Sequence, residues 1–269
     1  MYHPVKAKKY FGQHFLTDNN IALKIVTSLQ DKNNVLEIGP GTGILTKYLF
    51  NIPDINLKLV EIDKESIEYL LKIYPELKGK IISADFMQYD IKTLFNSTFN
   101  IIGNFPYNIS SQILFKILEN RDIVNEVVGM FQKEVAVRIS SDCGNKNYGI
   151  LSVLLQAFYN IEYLFTVNEQ VFTPHPKVKS AVIRMVRNNV KSLECDEKIF
   201  FSIVKTAFNQ RRKILKNALS SFKFSVTENI SVLNNENILI GLLLKRAEQL
   251  NVDEFVFLAK NVTLKEITQ

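Results

Sequence analysis

Cysteine and histidine are scarce in this chain, and their scarcity excludes several classes of protein. The 269 residues include two cysteines, Cys143 and Cys195, and three histidines, without a Cys-x-x-Cys pair. Two cysteines are too few for a disulfide framework, and the whole set of ligands is too small for a structural zinc site. We therefore expect a protein of a reduced compartment that holds no metal.

Long hydrophobic runs are also missing. None of the apolar runs approaches the roughly 20 residues that a membrane-spanning helix needs. The N-terminus is basic, with Lys6, Lys8 and Lys9, but the apolar core of a signal peptide does not follow these lysines. We expect a cytoplasmic protein without a membrane partner.

Positive charge is present in moderate excess. The formal net charge is +6, and the excess is shared between residues 1–190 and 191–269. A spread positive balance suits a folded protein that meets a polyanion such as nucleic acid. It describes an ordinary basic protein equally well, so charge alone does not decide between the two.

Short apolar strands alternate with helical periodicity through most of the chain. This alternation predicts an α/β fold with a mostly parallel sheet and helices on both of its faces. The predicted strands cover residues 35–38, 57–60, 80–85, 101–104, 126–131, 163–167 and 180–186. The polar stretch 188–197 interrupts the pattern, and only helical periodicity follows it. We therefore predict a first domain over residues 1–189 and a small all-α domain over residues 190–269.

A glycine-rich segment follows the first predicted strand. Gly39, Gly41 and Gly43 form G-x-G-x-G, which lacks the third glycine position expected for dinucleotides. Glu61 ends the second strand, where a carboxylate can accept hydrogen bonds from ribose hydroxyls, and Asp85 ends the third, within reach of an adenine amino group. This set favours S-adenosylmethionine. The glycines alone would also fit a plain turn between a strand and a helix.

The fourth predicted strand ends in Asn104-Phe105-Pro106-Tyr107. An amide, a proline and two aromatics at the end of an apolar strand are suited to holding a flat ring that forms hydrogen bonds. The alternative is an Asx turn beside a structural tyrosine.

This tetrapeptide resembles the N-[ILFV]-P-Y motif of amino-methylating S-adenosylmethionine enzymes. From end to end the chain is similar to the ribosomal RNA small-subunit adenine N6,N6-dimethyltransferase family. The segments that carry the resemblance are residues 10–16, 37–43, 60–63, 84–86, 132–138, 148–153, 171–182 and 207–219. The last two are specific singly, and all of them in order are very specific.

The resemblance implies a role for individual residues. The Asn104 side chain and the Phe105 carbonyl would accept the hydrogens of the target amine, with Pro106 completing the motif. Tyr107 would stack on the target base and Phe172 on its opposite side. The implied cofactor contacts are His14, Leu16, Gly39, Gly41, Glu61, Ile62, Asp85, Phe86 and Asn104. His14 stands where the family commonly has Asn, and Phe105 stands where it usually has Leu.

The resemblance also implies a Rossmann-like methyltransferase domain joined to a helical domain that recognises RNA or the ribosome. Basic side chains would then follow RNA phosphates. The candidates are Lys6, Lys8, Lys9, Lys177, Lys179, Arg211, Arg212, Lys213 and Lys216. Any one of them could instead be ordinary solvated surface.

The predicted activity is dimethylation of N6 on two adjacent adenosines near the 3′ end of 16S ribosomal RNA. The predicted partner is the immature 30S subunit, and the predicted oligomeric state is a monomer. Two alternatives stay open at this point. One is a 23S ribosomal RNA adenine methyltransferase of the macrolide-resistance type, and the other is a non-catalytic RNA-binding assembly factor.

Overall fold

The computed structural model describes residues 5–224 and 232–263, without the side chains of residues 232–234 and 263. The chain divides into two compact units. Unit 1 falls within Met1–Val137 and Tyr159–Asn188, and unit 2 within Arg138–Phe158 and Asn189–Gln269. Within the described ranges, no helix combines the length and hydropathy that crossing a membrane requires.

Unit 1 is built on a seven-stranded sheet with the strand order β4-β3-β2-β5-β6-β9-β7. The strands of unit 1 are β1 (Phe15–Leu16), β2 (Asn34–Ile38), β3 (Asn56–Glu61), β4 (Ile81–Ser83), β5 (Phe99–Asn104), β6 (Val124–Gln132), β7 (Tyr159–Val167), β8 (Phe172–Thr173) and β9 (Ser180–Arg187). Strands β2 to β6 pair in parallel, whereas β9 is antiparallel to both β6 and β7. The predicted fold class, a mostly parallel seven-stranded sheet with helices, is confirmed.

Helices connect the parallel strands because each crossover must return the chain to the same edge of the sheet. The helices are α1 (Asn19–Ser28), α2 (Thr46–Leu49), α3 (Lys64–Ile73), α4 (Ser110–Glu119), α5 (Lys133–Ile139), α6 (Ile150–Gln156), α7 (Glu197–Asn209), α8 (Leu215–Ala218), α9 (Val232–Leu244) and α10 (Val252–Lys260). Asp18 starts α1 by accepting hydrogen bonds from the backbone N–H of Asn20 and Ile21. Asp63 starts α3 in the same way, through the N–H of Glu65.

Apolar side chains bury the sheet. This burial explains why its strands are runs of apolar residues in the sequence. Val35, Leu36, Ile101, Ile102 and Val128 have no exposed surface. Parallel sheets are covered on both faces, so their strands do not alternate between polar and apolar residues. Because β2, β3 and β5 run in parallel, their carboxyl ends lie together at one edge of the sheet.

Unit 2 is helical, and aromatic rings join its helices. The Phe208 ring of α7 lies 6.1 Å from the Tyr148 ring and 6.0 Å from the Phe255 ring of α10, measured between centroids. A short pair, β10 (Lys223–Phe224) with β11 (Val262–Thr263), accompanies the helices.

The units differ from the predicted division in one respect. The unit changes after Asn188, next to the predicted boundary, but residues 138–158 also group with the C-terminal helices. Val153, Leu154 and Leu155 of α6 are fully buried, so this segment supplies core to a unit whose other members follow much later in the chain. A boundary drawn from local composition cannot detect such a contribution.

Candidate active site

A cavity of about 300 Å³ lies at the carboxyl ends of β2, β3 and β5. All of the predicted cofactor contacts line this cavity: His14, Leu16, Gly39, Gly41, Glu61, Ile62, Asp85, Phe86 and Asn104. Phe105, Pro106 and Tyr107 line it as well. The edge where parallel strands end is the usual ligand site of open α/β sheets. The structure thus brings together residues that are far apart in the sequence, such as His14 and Asn104, which are 90 positions apart.

The glycine loop after β2 adopts a backbone that other residues rarely take. Gly39, Gly41 and Gly43 have φ angles of 64°, 55° and 81°. A Cβ on Gly41 would lie 2.9 Å from the Phe15 ring, whereas a Cβ on Gly39 would meet nothing within 4 Å. Gly41 is therefore needed for close packing, and Gly39 leaves open space beside the cavity.

Glu61 binds the glycine loop from the end of β3. Its Oε2 accepts the Gly41 N–H at 3.0 Å, and its Oε1 accepts the N–H groups of Ile62 and Asp63 at 2.9 Å each. Burial raises the pKa of Glu61 despite these bonds. A carboxylate has about four acceptor sites. Three are occupied here, so the carboxylate retains capacity for a further donor in the cavity.

Glu37, which lines the same cavity, is 1% exposed. The Thr46 hydroxyl donates to its Oε2 at 2.7 Å. Burial raises the pKa of Glu37 to about 8, and the charge of Glu61 adds to the increase. At neutral pH Glu37 is therefore a neutral acid, which limits the charge gathered around the glycine loop.

Asn104 is the last residue of β5, and its amide is oriented by the N-terminal segment. The Asn104 Nδ2 donates to the His14 carbonyl at 2.8 Å. This bond uses the donor end of the amide, so Oδ1 is the end that remains to accept hydrogen bonds. The sequence alone does not reveal this contact.

Phe105 needs space that two strand glycines provide. It is 1% exposed and meets the Phe131 ring edge-on at a centroid distance of 5.0 Å. Gly103 and Gly129 are partners across β5 and β6. A Cβ on either would lie within 2.7 Å of the Phe105 ring. The ring that replaces the usual Leu is thus part of the core, as expected for a residue whose carbonyl would face the substrate.

Tyr107 is held at both its hydroxyl and its ring. The hydroxyl lies 2.5 Å from the Oγ of the buried Ser180, and burial raises the pKa of Tyr107. The His14 ring stacks on the Tyr107 ring at a centroid distance of 5.4 Å and an interplanar angle of 27°. His14 Nδ1 lies 2.8 Å from the Pro174 carbonyl oxygen. Ser180 had no sequence signal beyond its position in the 171–182 segment.

Phe172 does not line this cavity. Its side chain has no exposed surface and belongs to the hydrophobic core that includes Leu16, Ile102 and Val182. Its strand β8 pairs with β1, with Leu16 opposite Phe172. Stacking of Phe172 on a base would require this ring to leave the core, and His14 is the ring found beside Tyr107.

Lys8 joins the N-terminal segment to the start of α3, next to Glu61 and Ile62, which line the cavity. Its ammonium lies 2.5 Å from Asp63 Oδ1 and 3.2 Å from Glu65 Oε1, and the Gln13 amide donates to Asp63 Oδ2 at 3.0 Å. Burial alone would raise the pKa of Asp63, but the bonds from Lys8 and Gln13 outweigh it and lower that pKa. Lys8 is therefore engaged within the protein, which competes with its predicted contact to RNA.

The other predicted RNA contacts fall into two groups. Arg211 donates to the carbonyls of Lys146 and Tyr148 at 2.5 and 3.0 Å, and Lys213 donates to Gln210 at 2.9 Å. Arg211 thus holds the loop before α6, within unit 2. The remaining candidates have exposed side chains: Lys6, Lys9, Lys177, Lys179, Arg212 and Lys216.

The sheet order, the glycine loop and the acid that ends β3 define a Rossmann-like methyltransferase of the S-adenosylmethionine class. Within that class, the family model described as "Ribosomal RNA adenine dimethylase" matches residues 5–259. The chain belongs to this family.

Curated relatives are similar over nearly their full length. The Cytophaga hutchinsonii protein named "Ribosomal RNA small subunit methyltransferase A" is 56% identical over 256 residues, which cover 93% of this chain and 95% of that protein. The protein of the same name from Flavobacterium johnsoniae is 56% identical over 261 residues, covering 96% of each.

Two solved structures share the fold. A dimethyladenosine transferase from Plasmodium falciparum has a TM-score of 0.74 at 24% identity, covering 91% of this chain and 96% of that one. The 23S rRNA methyltransferase ErmE has a TM-score of 0.67 at 24% identity, covering 91% and 99%. At this identity the likeness concerns the fold alone.

The space around Phe105 can be tested by Gly129→Ala. The added Cβ would lie 2.5 Å from both the Phe105 and Phe131 rings, so we expect a loss of about 1–3 kcal/mol in the free energy of unfolding, as for other overpacked cores. Adding Phe105→Leu should restore part of the lost free energy of unfolding, because the smaller side chain leaves room for the added methyl group. Urea unfolding of both single variants and the double variant measures this coupling. Gly241→Ala, whose Cβ would meet nothing within 4 Å, is the control. Strictly additive losses would contradict the packing argument.

The protonation of Glu37 can be tested through the pH dependence of stability. Unfolding returns its pKa from about 8 to its ordinary 4.5. Between these values the folded state keeps a proton that the unfolded state has lost, so stability falls as pH rises through this window. Glu37→Gln should remove on the order of 2–4 kcal/mol of that fall, at about 1.4 kcal/mol per pKa unit.

The measurement is the free energy of unfolding in urea at several pH values between 5 and 9. Glu76→Gln alters an exposed carboxyl and serves as the control. An unchanged slope in Glu37→Gln would show that this carboxyl is already ionised at neutral pH.

Proposed function

We propose that this protein transfers methyl groups from S-adenosylmethionine to N6 of adenine, twice per base. Its targets are two adjacent adenosines near the 3′ end of 16S ribosomal RNA. The observation that carries the proposal is the acceptor end of Asn104, oriented by His14 in the same cavity as Glu61 and the glycine loop. The relatives named for small-subunit ribosomal RNA support the choice of target.

The residues that line the cavity suit the proposed cofactor. The cavity volume of about 300 Å³ lies at the lower end of the range for small-molecule sites. Glu61 retains an acceptor site for a ribose hydroxyl, and the half-exposed Ile62 offers an apolar surface to an adenine ring. Asp85 lies on the same wall with a carboxylate oxygen bonded to the Met87 N–H. Bound S-adenosylmethionine supplies an electrophilic methyl group.

Positioning of the target amine is the main task of the protein. The lone pair of the adenine amine is delocalised into the ring, which makes N6 a poor nucleophile. Acceptance of its two hydrogens by Asn104 Oδ1 and the Phe105 carbonyl orients the lone pair and favours a pyramidal nitrogen. Bound S-adenosylmethionine would supply the methyl group to N6 so held and leave as S-adenosylhomocysteine, and N6 would lose a proton afterwards. A strong base is not required for this order of events.

Stacking stabilises the flipped base. Contact with the Tyr107 ring contributes about 1–3 kcal/mol, which offsets the cost of removing the base from its stack. The short contact to Ser180 anchors the hydroxyl end of Tyr107. His14 already lies against one face of that ring, so the base must take the other face or displace His14.

The proposal includes the surroundings of the reaction. The protein acts in the cytoplasm as a monomer on the immature 30S subunit, during ribosome biogenesis. The exposed Lys6, Lys9, Lys177, Lys179, Arg212 and Lys216 contact RNA phosphates, and the helical residues 190–269 contribute to recognition. Lys8, Arg211 and Lys213 contribute less, because each already has a partner within the protein.

Two other functions are less well supported. Similarity to ErmE reaches only the fold, whereas the relatives with half or more of their residues identical are named for the small subunit. A non-catalytic assembly factor would not need Gly39, Glu61, Asp85 and Asn104 around one cavity. An assembly role in addition to catalysis is compatible with the site.

Transfer of label from S-adenosylmethionine tests the proposal. The purified protein is incubated with methyl-labelled cofactor and, separately, with immature small subunits, naked 16S RNA and 23S RNA. After nuclease digestion we expect labelled N6,N6-dimethyladenosine from the small-subunit substrate. Label in 23S RNA alone would favour the macrolide-resistance type, and no label in any substrate would favour the binding factor.

Asn104→Ala separates positioning from binding. Removal of the acceptor should slow methyl transfer by about 100-fold or more, as for other groups that stabilise a transition state. RNA affinity should change by less than about threefold, since phosphate contacts dominate it. Single-turnover kinetics and filter binding measure the two effects. Asn108→Ala, which removes an exposed amide from the same cavity, is the matched control. Equal losses of rate and RNA affinity would contradict the role of Asn104.

A further inference from the structure

Lys116 lies on α4, the helix that follows the Asn104–Tyr107 motif, and its ammonium is used entirely within the protein. Its Nζ donates to the carbonyls of Phe86, Met87 and Tyr89 at 2.6, 3.0 and 2.6 Å. An ammonium has three donors, so these carbonyls use all of them. The Nζ also lies 5.1 Å from the centroid of the Phe86 ring.

The carbonyls that Lys116 binds belong to the loop after β4. Asp85, Phe86 and Met87 of this loop line the cavity. Its other bonds are local: the N–H of Met87 donates to Asp85 Oδ1, and the N–H groups of Gln88 and Tyr89 donate to the Asp85 carbonyl. Carbonyl oxygens gathered around one point repel each other, and a cation between them offsets this repulsion.

Lys116 is partly buried, and nearby acids offset part of the electrostatic cost. Burial lowers the pKa of Lys116 overall, and the charges of Asp85, Asp90 and Glu119 oppose this decrease without cancelling it. A hydrogen bond from a charged donor is about twice as strong as a neutral one. The loop is therefore held by a partly desolvated cation rather than by its own backbone alone.

We propose that Lys116 is the positioning residue for the adenine end of the cofactor. It does not touch the ligand. It fixes the conformation of residues 85–89, so that the Asp85 carboxylate and the Phe86 backbone and ring meet the adenine without a prior rearrangement. This inference rests on the proposed function, because it assigns adenine to the wall that contains Asp85.

Helix α4 links the two halves of the site. The helix that begins after Tyr107, beside the target base, carries the side chain that orders the adenine loop. A shift of α4 would move both walls together. Neither wall could then be altered independently of the other.

Lys116→Met tests the role, because Met keeps an unbranched apolar chain but removes every donor. We expect the Kd for S-adenosylhomocysteine, measured by calorimetry, to rise about tenfold or more. The KM for S-adenosylmethionine should rise similarly, while kcat at saturation changes less than about threefold. In the ligand-free protein, amide hydrogen exchange should quicken within residues 85–90 and not across the sheet.

The control is Lys92→Met, which removes the same charge from an exposed side chain close to Asp90 in the sequence. Its Kd should stay within about twofold of the parent value. A loss in Lys92→Met as large as in Lys116→Met would assign the effect to overall charge and overturn the proposal. Lys116→Arg keeps the charge but offers a planar set of donors, so we expect only partial recovery of affinity.

A ligand cycle keeps the test informative if Lys116→Met is also less stable. S-inosylhomocysteine carries an oxygen in place of the exocyclic amine. In the parent protein, S-inosylhomocysteine should bind more weakly than S-adenosylhomocysteine. In Lys116→Met the difference between the two ligands should be smaller, because Asp85 is no longer placed for the amine. Equal weakening in both proteins would overturn the proposal. Failure of the parent protein to bind S-adenosylhomocysteine would instead count against the proposed function.

Discussion

The site depends on one buried carboxylate that holds a glycine backbone in place. Glu61 accepts N–H groups from Gly41, in the loop after β2, and from the two residues that follow Glu61 itself. A carboxylate in this position needs such donors, because its burial without them would be costly. The same group lines the cavity, so the shape of the loop and the position of this acceptor are set together. The ends of β2 and β3 therefore act as a single element.

A second coupling runs from the N-terminal segment to the target side. The His14 carbonyl fixes the Asn104 amide, the His14 ring lies on Tyr107, and Lys8 binds Asp63 beside the cofactor wall. The segment thus contacts both sides of the cavity. Its order affects the orientation of the Asn104 amide as well as the shape of the cavity that His14 lines.

The roles of the basic residues are decided by their neighbours. Lys8, Lys116 and Arg211 bind carboxylates or backbone carbonyls of this chain, and each orders a different segment. Arg212 and Lys216 extend from the surface. All five are equivalent in a count of charge. Only exposed residues such as Arg212 and Lys216 can neutralise phosphates without breaking an internal contact. A basic composition is therefore a poor guide to an RNA-binding surface.

The sequence by itself determined the class of the fold, the glycine loop, the acid that ends β3 and the family, because each is written in local spacing or in a continuous motif. The tertiary structure decided what depends on contacts between distant segments. It placed Phe172 in the core and His14 beside Tyr107, and it joined residues 138–158 to the C-terminal helices. Burial and hydrogen-bond partners arise only when the chain has folded. Spacing along the chain predicts which residues reach the site, whereas packing determines what each one does there.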